Sequence, residues 1–103
     1  MPKKEKKEMS SELETLLGLF NVNVALSDRV PHFCDKMTVE KTNRIRSEFL
    51  NYLENGWLGE KDFYDSTACS ARNEESARQF FKDVYAYAFE GGEEPDVRDY
   101  WNR

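Results

Sequence analysis

Residues 77–89 carry the pattern that most limits how this chain can fold. Ala77, Phe80, Phe81, Val84 and Ala88 recur at three- and four-residue steps, which is one face of an α-helix. From Val84 to Phe89 the apolar character then runs unbroken through Tyr85, Ala86, Tyr87 and Ala88. A helix that is apolar around its whole circumference has to lie at the centre of a core or meet a partner. Phe81, Val84 and Ala88 can face the core, whereas Tyr85, Phe89 and Tyr87 lie further round and exceed what a small core readily absorbs. β-branched residues are sparse and no hairpin dipeptide separates alternating runs, so the other elements should be helices as well.

The rest of the chain supplies them. Ser11 followed by Glu14 reads as a capping box, and Leu13, Leu16, Leu17 and Phe20 form the apolar stripe behind it. Val22, Val24 and Leu26 alternate with asparagines and alanine, a pattern open to helix, strand or loop. With no partner strand elsewhere, a helix fraying into a loop is favoured. Ser27-Asp28 opens a second element, with Pro31 tolerated in its first turn. Thr38 caps a third helix, Val39 to Glu54, whose inner stripe is Thr42, Ile45, Phe49, Tyr52 and Leu53, and Asn55-Gly56 ends it. Trp57 and Leu58 should fold back onto it. A fourth helix is expected from Glu60 to Arg72. A fifth runs from Glu74 to Glu90, capped by Asn73 and closed by Gly91-Gly92, and a last turn of helix starts at Pro95. The expected fold is all-α, a compact bundle of four to five helices.

At 103 residues the chain has room for one small core. Residues 1–9, dense in lysine and glutamate, offer nothing to bury and are expected as a disordered basic tail, leaving residues 10–103 as a single helical domain. The net charge of −5 divides unevenly. Residues 1–7 hold four lysines against one glutamate, a net +3. The remainder holds 11 bases against 19 acids, a net −8. Partner arguments should therefore rest on the acidic body. No apolar run reaches the roughly 20 residues that span a bilayer, and the lysine-rich start lacks a signal-peptide core. The expectation is a cytoplasmic protein, with Cys34 and Cys69 as free thiols.

Little in the chain points to chemistry. His32 and Cys34 lie two apart, on different faces of a helix, which does not make a nucleophile–base pair. Three unpaired nitrogen and sulfur ligands fall short of a zinc site. Glu60, Asp62 and Asp65 have a local explanation in the helix dipole, and neither they nor the carboxylates of residues 93–99 match a calcium loop. Gly91-Gly92 is a helix terminator and not a phosphate loop. No catalytic residue, metal ligand or cofactor is therefore assigned. Lys41, Arg44 and Arg46 are interleaved with acids, so direct nucleic-acid binding is disfavoured.

The aromatic residues are the remaining signal. Ten of the 14 lie between Trp57 and Trp101, more than a small core is expected to need. Tyrosine and tryptophan are the residues that anchor protein interfaces. The expected working surface is Tyr85, Tyr87, Phe89, Tyr100 and Trp101, rimmed by Glu93, Glu94, Asp96 and Asp99. The expected role is a non-enzymatic protein-binding module, a small acidic inhibitor or regulator of a basic partner protein. The alternatives are a homo-oligomeric scaffold, for instance a homodimer paired through Tyr85 and Phe89, and a nucleic-acid-associated accessory protein, including one that mimics nucleic acid.

Overall fold

The computed structural model describes residues 8–102. Five helices follow one another: α1 (Ser11–Gly18), α2 (Val30–Asp35), α3 (Val39–Glu54), α4 (Glu60–Thr67) and α5 (Glu74–Phe89). Two short 3-10 turns, Ser27–Arg29 and Val97–Asp99, complete the regular structure. The fold is an all-α bundle. The expected tail lies, for residues 1–7, outside the described residues, while Met9 already packs against the core.

α5 is the central element. Ala77, Phe80, Phe81 and Val84 are fully buried, and α1, α3 and α4 supply Leu13, Leu16, Phe49 and Phe63 around them. Phe80 is the hub: Phe20, Phe63, Phe81 and Tyr100 all meet its ring edge-to-face, with centroids 4.9–5.5 Å apart. This geometry sets the positive edge of one ring on the negative face of the next. It also hides most of the aromatic area that looked surplus in the sequence. Tyr85 packs edge-to-face on Phe49 and is buried, and Phe89 leans on the same two rings.

The helix boundaries follow local chemistry. α1 starts at Ser11, the residue expected as its cap, and the cap itself lies one residue earlier. Ser10, and not Ser11, takes the Leu13 N–H on its hydroxyl. Its own N–H and hydroxyl are both held by the Glu48 carboxylate, at 2.8 and 2.6 Å, an anchor no local pattern reveals. Thr38 caps α3 as expected, and Gly56, at φ +65°, ends it. Trp57 folds back, its N–H donating to the Tyr52 carbonyl and its ring packing on Tyr52.

α4 stops at Thr67, short of the expected Arg72. The Thr67 hydroxyl donates to the Phe63 carbonyl and accepts from the Cys69 N–H, so it competes with the helical ladder. Ala68 then turns left-handed, at φ +66°. The freed residues Ser70–Arg72 pair with the C-terminal segment, which the helical reading did not anticipate. Ala71 and Trp101 form an antiparallel bridge, with Arg72 N–H on Tyr100 O and Asn102 N–H on Ser70 O, both 2.8 Å. Residues 19–26 are a loop, as favoured for the alternating segment. Its shape is fixed by Val22 N–H on Thr67 O and Leu26 N–H on Leu19 O, each 3.1 Å.

Candidate protein-interaction site

α5 ends where Glu90 and Gly92 both donate to the Ala86 carbonyl and Gly91 turns at φ +72°. The chain then runs back over the bundle as a strap, residues 93–102. Buried Pro95 and Val97 pin it from below. Asp96 caps the turn Val97–Asp99 by accepting from the Arg98 N–H, and the Arg98 guanidinium closes on the same carboxylate at 2.7 Å. That pairing holds the Asp96 carboxyl below the ordinary carboxylate range. Further on, the Tyr100 hydroxyl donates to Asp83 at 2.6 Å and the Arg72 side chain donates to the Asp99 carbonyl.

Two concavities flank the strap. One, of about 410 Å³, is an acidic shelf. Asp83, Glu93, Glu94, Asp96 and Asp99 line it together with Gly92 and Tyr100, and no basic side chain does. Among the described residues, Glu93, Glu94 and Asp99 join no ion pair. Glu94 instead accepts from the Ser27 hydroxyl at 2.8 Å. The other, of about 580 Å³, is a groove between the Phe20–Ser27 loop and the strap. Glu94, Pro95 and Asp96 border both hollows.

The nine residues expected to form one surface are therefore divided. Glu93, Glu94, Asp96, Asp99, Tyr100 and Trp101 come together along the strap. Tyr87 lies beneath the loop, half-buried, its hydroxyl donating to the Ser27 carbonyl and its ring against Phe20. Burial, with Glu94 nearby, raises its pKa. Tyr85 and Phe89 turn toward α3. The Tyr85 hydroxyl accepts from Arg46 at 3.0 Å, and Phe89 lines a separate hollow with Arg46 and Cys34.

The strap also involves residues the sequence did not single out. Val22, Val24 and Leu26 are 42, 48 and 39% exposed on the loop, and Val22 of the three lines the groove beside the strap. Their alternation, without any strand to bury one side, was the available signal. Ala25 sits among them at φ +54°, a conformation that side chains other than glycine rarely take. Trp101 lines the groove, half-buried, and its indole N–H is covered yet has no acceptor. Buried donors of this kind are rare in folded chains.

The groups with reactive potential lie elsewhere. His32 is exposed. The Cys34 thiol is pushed up by burial and by the neighbouring Asp35, away from the reactive thiolate. Among the described residues no cluster of three His, Cys, Asp or Glu side chains is arranged to hold a metal ion, and no helix is long and apolar enough to cross a membrane. No protein-family model matches the chain, and no curated protein or solved structure is significantly similar to it.

Proposed function

We propose that this chain is a non-enzymatic protein-binding module of the cytoplasm, a small acidic inhibitor or regulator that engages a basic partner protein along its C-terminal strap. The observation that carries the reading is the acidic shelf, where Asp83, Glu93, Glu94, Asp96 and Asp99 converge and, among the described residues, Asp96 alone of the five has a cation, Arg98, closed on it. Like charges gathered on one rigid segment are held there at an electrostatic cost, and a basic surface relieves it. They also speed encounter with such a surface. Tyr100 supplies an aromatic contact at the edge of the shelf, in keeping with interface chemistry. The homodimer alternative loses support from the inward packing of Tyr85 against Phe49.

The test uses the full chain as bait in low and in high salt, beside the double variant Glu93→Lys/Asp99→Lys. The expected result is capture of a basic protein that is lost in high salt and lost with the double variant. Capture that survives both, or recovery of no basic protein at low salt, rejects the proposal.

A further inference from the structure

We infer that the groove between the Phe20–Ser27 loop and the strap receives an extended segment of the partner in which an arginine sits beside an aliphatic residue. This rests on the basic-partner reading above and specifies what the partner brings. The groove has an apolar floor and a mixed rim, where Asn21, Ser27, Glu94 and the paired Asp96 and Arg98 lie. Phe20 and Val97 lie in its floor, and Val22 and Ala25 form the loop wall. Aliphatic side chains left open on a loop that is itself pinned by hydrogen bonds to Thr67 and Leu19 make a preformed surface. The hollow is the size of a few side chains and is open, which suits a stretch of peptide.

Charge selects the kind of peptide. Arg98 is closed on Asp96, so Glu94 is the carboxylate left on the rim without a cation, held in place by the Ser27 hydroxyl. Trp101 lies in the wall of the same groove. Arginine meets both features, because its planar guanidinium pairs with a carboxylate and stacks on an indole face. A peptide backbone answers the remaining one. The Trp101 N–H has no acceptor among the described residues, and a turn of the ring toward an incoming carbonyl provides one. The groove shares Glu94, Pro95 and Asp96 with the acidic shelf, so a segment lying in the groove continues onto the shelf without a break.

The experiment is a titration of the full chain with the capped peptide Leu-Arg-Leu-Arg-Leu, followed by backbone amide and indole N–H resonances. The Trp57→Phe variant assigns the Trp101 indole signal. The expected result is a saturable shift of that signal and of the Val22–Ser27 amides. The peptide Leu-Glu-Leu-Glu-Leu should produce no shift, and Glu94→Lys should weaken binding by roughly ten-fold or more. Equal shifts with the acidic peptide, or unchanged affinity in Glu94→Lys, would overturn the inference. Shifts confined to the Glu93 and Asp99 amides would overturn the groove while keeping the basic-partner reading. An absence of shifts at both places would remove both. Concentration-dependent dimerisation that broadens the Val22–Ser27 signals without peptide would assign the groove to a second copy of the chain, and would also overturn the inference.

Discussion

The hydroxyl of Tyr100 donates to the carboxylate of Asp83 at 2.6 Å, tying the strap to the outer face of α5, while the Tyr100 ring packs on Phe80 in the core. One side chain thus joins the candidate site to the hub of the fold. Tyr100→Phe keeps the ring and removes the bond. A hydrogen bond to a charged group at a half-buried site stabilises by about 1 kcal/mol after discounting for solvent. The midpoint of urea denaturation should fall accordingly, and amide exchange should quicken over residues 96–102 more than in α3.

Alkaline pH should loosen the same contact. Burial first, and the Asp83 hydrogen bond second, raise the Tyr100 pKa far above its ordinary value, and burial also raises those of Tyr52 and Tyr87. A group whose folded pKa exceeds its unfolded one stabilises the fold fully below the unfolded value and ceases to do so as pH rises through the folded value. Stability should therefore begin to fall above about pH 10, the ordinary tyrosine pKa. Tyrosinate absorbance recorded together with circular dichroism tests this. Tyrosines that ionise near pH 10 without loss of helix would refute it.

Two of the four left-handed positions among the described residues, Gly91 and Ala68, invite a reciprocal pair of substitutions. Gly91, at φ +72°, has no neighbour that a Cβ would strike, so Gly91→Ala carries only the conformational penalty, about 1 kcal/mol. Ala68, at φ +66° and exposed, already carries that penalty, and Ala68→Gly should raise stability by about 0.5–1 kcal/mol. Urea titrations of both variants should shift in opposite directions.

Ser10 holds α1 to α3 through one serine. Ser10→Ala removes the helix cap and the hydroxyl bond to Glu48 together, and should lower stability by about 1–2 kcal/mol. Ser11→Ala, at the exposed position next to it, should change stability by less than about 0.5 kcal/mol. Equal effects would mean that the cap lies elsewhere.

Phe80→Ala should be the most damaging single change in the chain. Truncating a fully buried phenylalanine destabilises by about 3–5 kcal/mol, against a typical total of about 5–15 for a domain of this kind. Four ring contacts are lost at once, so the variant should show reduced helical dichroism at room temperature. Phe80→Leu should retain the fold with a lowered melting midpoint.

The legible parts of the fold were those set by neighbours in sequence. Thr38 and Gly56 bracket α3, and both signals are local, so its limits Val39–Glu54 could be read directly. The six apolar residues at the end of α5 allowed either a central place or a partner-facing one, and the burial of Phe80, Phe81, Val84 and Tyr85 gives the first. The cap at Ser10 and the end of α4 were not legible, because each depends on a choice between near-equal local options. Glu48, 38 residues away, decides the first, and the Thr67 hydroxyl decides the second. The candidate site was half legible. The carboxylates of the strap could be counted in the sequence, whereas the loop that faces them is brought there by the bundle. Tyr85 and Phe89 look like interface residues in a sequence, and only the position of Phe49 shows how much of their area it covers.

The pairing of Ser70–Arg72 with Tyr100–Asn102 encloses α5 in a circuit of about 30 residues whose two ends are hydrogen-bonded together. Such a clasp forms only after both ends have been brought into register, so its closure belongs to the late steps of folding, after α5 has settled among its neighbours. It also sets the order of release. Pulling on residue 102 loads the two clasp bonds before any helix, so the strap should peel away while the bundle beneath it remains intact. Mechanical or proteolytic attack from that end would then strip the candidate site first and leave the helices behind it.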